Sequence, residues 1–158
     1  MLVLSVFAGT LVWAESKKQV GWFDAETCEY CKLMSTNPEM MSAMKFETHK
    51  INDGMLIVVM VPEPHQKTFE TLWSKMHEMD KQIATSGESV SMCGCCESFE
   101  KLKQAGAKDQ EITTAFGKIL LVKAKDPATV KMIHKHVDRT LKEEKKMAEA
   151  MKIAEGKN

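Results

Sequence analysis

Two kinds of apolar pattern alternate along the chain, and together they predict a fold of strands and helices. Short apolar runs that end at turn residues predict buried strands. Longer stretches with apolar residues at helical spacing predict amphipathic helices. The predicted strands are 19–23, 45–51, 55–61, 111–115 and 118–124, and the predicted helices are 28–44, 65–83, 96–106 and 127–145.

Turn and capping residues support three of these boundaries. Asn52-Asp53-Gly54 predicts a hairpin, because an Asp-Gly pair tolerates positive φ. Asn37-Pro38 predicts that the first helix breaks and restarts, since proline is favoured at a first helical position. Asp126-Pro127 predicts the start of the last helix, with the Asp126 carboxylate capping free N–H groups.

Helices 65–83 and 127–145 are each expected to turn one apolar face toward the sheet. The face predicted for helix 65–83 consists of Phe69, Leu72, Trp73, Met76 and Met79. The face predicted for the final helix consists of Val130, Ile133, Val137 and Leu141. Residues 146–158 lie beyond Leu141, the last predicted core position, so they are expected to form a helical extension that frays in solvent.

The order of elements recurs in the second half of the chain. Cys28 and Cys31 match Cys93 and Cys96 at an offset of 65, and Gly54 matches Gly117 at an offset of 63. Near-constant offsets with the same element order indicate an internal duplication.

The predicted fold class is therefore α+β, with a duplicated β-α-β-β-α unit of ferredoxin-like type. The expected units are 15–83 and 92–145, joined by a polar linker at 84–91. The two copies are expected to pack with pseudo-twofold symmetry. A homodimer is the alternative way to cover the apolar surface that such a unit exposes.

Charge and composition exclude several partners and suggest export. Lys plus Arg and Asp plus Glu each number 22, so no net basic charge favours nucleic acid. Residues 1–14 carry no charge and end in Ala14, which predicts a signal peptide cut before Glu15 and a periplasmic or extracellular location. No later apolar run approaches the length of a membrane span, so no stable membrane insertion is expected after cleavage.

Cysteine spacing carries most of the chemical information. Each half has a Cys-x-x-Cys pair at a predicted helix start, where free backbone N–H groups stabilise a thiolate. If the pseudo-twofold axis passes near both helix starts, the four thiolates suit one tetrahedral soft-metal site, and otherwise the pairs form two separate sites. The soft metals considered are Zn(II) and Cu(I), and thioether sulfur beside thiolate outside the cytoplasm favours Cu(I). The candidate metal ligands are Cys28, Cys31, Cys93, Cys95, Cys96, Met34 and Met92.

Both cysteine segments have local resemblances to known families. The segment VGWFDAETCEYCKLM resembles the active-site stretch of thioredoxin-like proteins, although Glu29-Tyr30 replaces the usual Gly-Pro. That resemblance implies that Cys28 is the attacking thiol and Cys31 the resolving thiol. The segment SMCGCCESFEKL resembles the metal-binding loop of heavy-metal-associated domains, with Cys95 as an additional cysteine.

Three functions remain open on the sequence alone. The first is an exported, non-enzymatic protein that binds copper or zinc through its Cys pairs. The second is a thiol–disulfide oxidoreductase that uses Cys28 and Cys31 and acts on a redox partner protein. The third is a structural or ligand-binding module whose helix starts are held by disulfides. Phosphate-binding loops, nucleophile elbows and HExxH motifs do not occur in the sequence, so other enzyme classes are poorly supported.

Overall fold

The computed structural model describes residues 21–155 apart from Glu88, and it has an α+β fold. The predicted signal peptide 1–14 lies outside the described residues. Four strands form one antiparallel sheet in the order β1-β2-β4-β3. In chain order the elements are α1 (Glu29–Ser35), α2 (Pro38–Ala43), β1 (Lys45–Ile51), β2 (Gly54–Met60), α3 (Glu63–Ser86), α4 (Gly94–Gln104), β3 (Lys108–Thr114), β4 (Gly117–Lys123) and α5 (Pro127–Glu155).

The predicted helix starts are confirmed by their capping contacts. Asn37 caps α2 by accepting a hydrogen bond from the Met40 N–H, and Pro38 is the first helical residue. Asp126 accepts a hydrogen bond from the Thr129 N–H at the start of α5. Both contacts satisfy an N–H group that has no partner within its own helix.

Two hairpins join along β2 and β4 to make the sheet. In the central pair, Gly54 lies opposite Lys123, Ile57 opposite Leu120, and Met60 opposite Gly117. The hairpin predicted at Asp53-Gly54 is present, but its expected positive φ at Gly54 is wrong. Glycine is required there by close packing instead, because a Cβ on Gly54 would lie 1.8 Å from the Val122 carbonyl oxygen.

The strand predicted at 19–23 is not found in its described part, residues 21–23. The Gly21 carbonyl accepts a hydrogen bond from the Gly94 N–H, and the Trp22 carbonyl accepts one from the Cys95 N–H. These carbonyls therefore satisfy the free N–H groups of α4 instead of pairing with a neighbouring strand.

The helices cover one face of the sheet through two apolar clusters. The first contains Met40, Met44, Val59, Val61, Phe69 and Leu72. The second contains Met55, Leu102, Ala107, Val122, Ile133 and Val137. The inward position predicted for Leu141 is wrong, because this side chain is 43% exposed and the neighbouring Thr140 is buried.

Each long helix reaches the hairpin of the other half of the chain. Glu70 of α3 forms an ion pair with the buried Lys118 of β4 at 3.0 Å. Asp138 of α5 forms one with Lys50 of β1 at 2.6 Å, and His134 of α5 contacts the Ile51 carbonyl. These crossed contacts tie the two halves into one packed unit. Among the described helices, none is both long and apolar enough to cross a bilayer.

Candidate metal centre

Four of the five cysteines meet where α1 and α4 begin. Cys28 is the N-cap of α1 and Cys93 is the N-cap of α4, and both side chains are fully buried. Cys31 and Cys96 follow within the first turn of each helix, so they lie on the same side as the caps. Each half of the chain therefore supplies one buried and one partly exposed thiol to the four-cysteine cluster.

The sulfur atoms of the four-cysteine cluster have the separations of ligands around one ion. The Cys28 and Cys96 Sγ atoms are 3.7 Å apart, and the Cys31 and Cys93 Sγ atoms are 3.6 Å apart. All four Sγ atoms lie within 4.8 Å of one another. A tetrahedral zinc ion with Zn–S bonds of about 2.3 Å has S···S edges of about 3.8 Å. The arrangement therefore fits binding of a metal ion.

Two close thiol contacts join cysteines of different motifs. Cys28 contacts Cys96, and Cys31 contacts Cys93, while all five described cysteines are free thiols. A disulfide has an S–S bond of about 2.0 Å, so neither contact is one. The disulfides of the third alternative, the module with disulfide-held helix starts, are therefore not found among the described residues.

Backbone hydrogen bonds hold the two cysteine loops against each other. The Glu29 N–H donates to the Ser91 carbonyl at 3.0 Å, which joins the first turn of α1 to the loop before Cys93. In the opposite direction, the Gly94 N–H donates to Gly21 and the Cys95 N–H donates to Trp22. The loops are thus positioned by main-chain contacts that do not involve any ligand sulfur.

Crowding of the thiols strongly separates their acidities. Hydrogen bonds from Cys31 and Cys96 stabilise the Cys93 thiolate and lower its pKa. The same contact with Cys93 raises the pKa of Cys31 to about 12. Hydrogen bonding to Cys31 and Cys93 also raises the pKa of Cys96. Without a bound cation, Cys93 is therefore the thiolate, and it accepts hydrogen bonds from the neighbouring thiols. A bound cation would allow those thiols to lose their protons as well.

The remaining predicted ligands do not join the cluster. Cys95 lies outside it, and burial raises the pKa of its thiol to about 12 while the thiol interacts with Thr140. Met34 packs against the apolar cluster formed by Met40 and its neighbours. Met92 lies on the wall of a cavity between the helices and the sheet.

Two residues that the sequence reasoning did not assign to the site, Tyr30 and Trp22, support the cysteine loops. Tyr30, between the first two cysteines, donates a hydrogen bond to Asp80 of α3. Burial and this hydrogen bond raise the pKa of Tyr30. The Trp22 indole donates a hydrogen bond to the Thr140 hydroxyl. Its ring also makes a tilted contact with the His136 ring, with 5.4 Å between the ring centroids. Only the unusual position of Tyr30 within Cys-x-x-Cys could have indicated one of them.

Burial of His136 makes stability depend on pH. The rings of Trp22 and Phe99 flank this histidine and Ser98 hydrogen-bonds to it, and desolvation lowers its pKa to about 4. The unfolded chain therefore binds a proton more readily, and stability falls as pH drops from about 6.5 to about 4. We expect this group to contribute up to about 3 kcal/mol to that loss.

Urea unfolding of the wild type and of His136→Phe at several pH values measures this contribution. The variant cannot be protonated at this position, so its free energy of unfolding should fall less steeply over the same pH range. Parallel curves for the two proteins would show that His136 does not titrate with folding.

Comparison of the chain with protein-family models, with curated proteins and with solved structures finds no match. The geometry of the chain's own residues thus carries the functional interpretation. That geometry consists of four free cysteines from two distant parts of the chain, brought within the reach of one metal ion.

Proposed function

We propose that the protein binds a single Zn(II) ion through Cys28, Cys31, Cys93 and Cys96. The observation that carries this proposal is the clustering of the four Sγ atoms, all within 4.8 Å of one another. The contacts Cys28–Cys96 and Cys31–Cys93, at 3.7 and 3.6 Å, are close to the edge of about 3.8 Å in a zinc–thiolate tetrahedron.

The donor set favours zinc over copper. All four clustered donors are cysteine sulfurs, and four sulfurs in a tetrahedron are typical of zinc or iron. Met34 packs in the core and Met92 lines the cavity, so the thioether sulfurs that would favour Cu(I) are not part of the cluster. The positive N-terminal end of α4 also stabilises the negative charge of a four-thiolate zinc site.

The proposed role of the ion is structural. Four protein ligands fill a tetrahedral coordination shell and leave no position for a substrate, unlike catalytic zinc sites. The ligands come from two segments more than sixty residues apart, so the ion cross-links the starts of α1 and α4. We therefore propose a non-enzymatic protein in which zinc holds the two halves together.

The register of the sheet supports the proposal that the halves are duplicated units with pseudo-twofold symmetry. Ile57 pairs with Leu120, and these residues are related by the same offset of 63 that relates Gly54 to Gly117. Gly54 and Gly117 also permit equivalent close approaches at opposite ends of the β2–β4 pair. Each described half has helices before and after a hairpin, without the additional first strand of a ferredoxin-like unit.

We also propose that the protein is exported, on the basis of the uncharged residues 1–14. Zinc coordination would protect the clustered thiols from oxidation in an oxidising compartment. The metal centre and the predicted location are thus chemically compatible.

Native mass spectrometry of the purified, reduced protein tests the zinc proposal. We expect one Zn(II) per chain in the wild type, and affinity reduced by at least about 100-fold in Cys96→Ser, because a neutral hydroxyl replaces a thiolate ligand. The matched control is Cys95→Ser, which changes the adjacent cysteine outside the cluster and should keep one ion.

The two variants separate the alternatives. Equal zinc loss in Cys95→Ser and Cys96→Ser would contradict the assigned ligand set. A wild type that takes up no zinc when reduced, and that forms a disulfide between Cys28 and Cys31 when oxidised, would favour the oxidoreductase instead.

A further inference from the structure

A cavity of about 320 Å³ lies between the helices and the sheet, beside the four-cysteine cluster. Its floor includes Ile57 and Leu120, which pair across β2 and β4. Cavities of this size with largely apolar walls are typical of sites for small organic molecules. Aromatic side chains form much of the wall, namely Phe23, Tyr30, Phe46, Trp73 and Phe99.

Two buried polar groups on the cavity wall have unused hydrogen-bonding capacity. Thr48 is 8% exposed, and its hydroxyl makes no hydrogen bond to another side chain or backbone group among the described residues. His136 is 5% exposed and uses Nδ1 to contact Ser98, which leaves Nε2 without a partner in the described part of the chain. No fully buried side-chain nitrogen or oxygen atom of the described residues lacks a partner, so these two groups are accessible from the cavity, where water or a ligand can hydrogen-bond to them.

Negative charge predominates around the cavity. Among its described lining residues, Lys103 is the only lysine or arginine, and it faces several carboxylates. Partial burial of Lys103 opposes its charge, but the hydrogen bond to Glu100 and the nearby Asp80 and Asp109 raise its pKa. The acidic lining residues are Asp80, Glu100, Asp109, Glu111 and Glu144.

Two of these carboxylates have no ion-pair partner among the described residues. Glu111 is paired with Lys118, and Glu100 with Lys103. Asp109 and Glu144 form neither an ion pair nor a side-chain hydrogen bond within the described part of the chain. The cavity therefore combines aromatic walls with more negative than positive charge, which is the environment that binds organic cations.

We propose that this cavity binds a small organic cation with an aromatic or otherwise apolar body. The ligand's body would pack against the rings of Trp73 and Phe99, and its positive charge would face Asp109 and Glu144. This site requires no metal ligand, so it stands independently of the proposed zinc function.

Isothermal titration calorimetry with three molecules of similar shape tests the proposal on the full chain with its metal centre intact. The probes are benzyltrimethylammonium, its neutral isostere neopentylbenzene, and the anion benzylsulfonate. At about pH 8 the carboxylates are ionised, including Glu144, whose pKa burial raises. We expect the cation to bind at least about tenfold more tightly than the neutral isostere, with weaker binding still for the anion.

An isosteric double variant identifies the charges responsible. In Asp109→Asn/Glu144→Gln, the affinity for benzyltrimethylammonium should fall about five- to tenfold, while the affinity for neopentylbenzene stays unchanged. The control is Glu97→Gln, whose carboxylate pairs with Lys101 on the exposed side of α4 and lies outside the cavity. This variant should bind the cation as the wild type does.

Several results would overturn this assignment. They are equal affinity for the cation and its neutral isostere, preference for benzylsulfonate, or no heat of binding from benzyltrimethylammonium up to about 10 mM. A cation affinity that survives the double variant would also overturn it. None of these outcomes depends on zinc stoichiometry, so the two proposals can fail separately.

Discussion

Chelation of the proposed zinc ion under reducing conditions is expected to lower the thermal midpoint of the protein by about 10 °C or more. The reason lies in α1, where none of the residues Glu29–Ser35 is buried. This helix is held by its cysteines Cys28 and Cys31, by the hydrogen bond of Tyr30 to Asp80, and by partly buried Leu33 and Met34, which pack against the first apolar cluster. Without the ion, the cross-link between α1 and α4 is lost, and only four crowded thiols remain between the two helix starts.

Chelation should destabilise the region around the cysteine cluster before it unfolds the whole protein. Hydrogen exchange measured by mass spectrometry should show faster exchange in α1 and in the first turn of α4 after chelation. The central strands β2 and β4 should remain protected, because their side chains belong to the two apolar clusters.

Two variants provide the controls for zinc removal. Cys95→Ser should respond to the chelator as the wild type does, since its sulfur lies outside the cluster. Cys28→Ser should already melt at the lower temperature and should respond little to the chelator. If chelation leaves both the melting temperature and the exchange of α1 unchanged in the wild type, zinc does not stabilise this fold.

Substitution of Gly54 by alanine is expected to reduce the free energy of unfolding by about 3 kcal/mol or more. The added Cβ would lie 1.8 Å from the Val122 carbonyl oxygen and 2.9 Å from the Lys123 Cα. Both contacts are with backbone atoms of β4, so rotation of a side chain cannot relieve the overlap. The two central strands would have to separate, and this pair joins the two halves of the sheet.

Gly117→Ala should be at least as damaging as Gly54→Ala. Its Cβ would lie 2.2 Å from the Val59 carbonyl oxygen, and its φ of 140° is unfavourable for any residue with a side chain. Gly87→Ala is the matched control, because Gly87 has a φ of 70° but no neighbouring atom within 4 Å of its added Cβ.

The Gly87→Ala control separates the cost of an unfavourable backbone φ angle from the cost of steric overlap with neighbouring atoms. Gly87→Ala should cost only about 1 kcal/mol, the conformational price of a left-handed residue. Chemical denaturation of the three variants measures these differences directly. A loss at Gly54 no greater than the loss at Gly87 would show that the strands adjust without difficulty.

Local features of the fold were predictable because their causes are local. Proline at position 38, the Asp126 cap and the Asp53-Gly54 turn each act over a few neighbouring residues, and all three appear where expected. The apolar runs also predicted the two hairpins and the helices that follow them. The predicted reason for glycine at position 54 was wrong, because a side chain is excluded there by the backbone of β4 and not by the φ angle of Gly54.

Positions that depend on distant neighbours were harder to assign. Leu141 fits the apolar helix period but is exposed, while Thr140 is buried and accepts a hydrogen bond from Trp22. Lys118 can lie buried near the start of β4 because the carboxylates of Glu70 and Glu111, which belong to two other elements, neutralise its charge. A charge can be buried only with such partners, and they are remote in the sequence.

The sequence by itself determined which residues could carry chemistry, since only cysteines recur as reactive groups at equivalent helix starts in both halves. It left open whether the pairs form one site or two. Tertiary structure decided that Cys28, Cys31, Cys93 and Cys96 meet, and that Cys95 faces Thr140 instead. The physical reason is that ligand spacing within a helix turn is local, whereas convergence of two helix starts depends on how the sheet and loops pack.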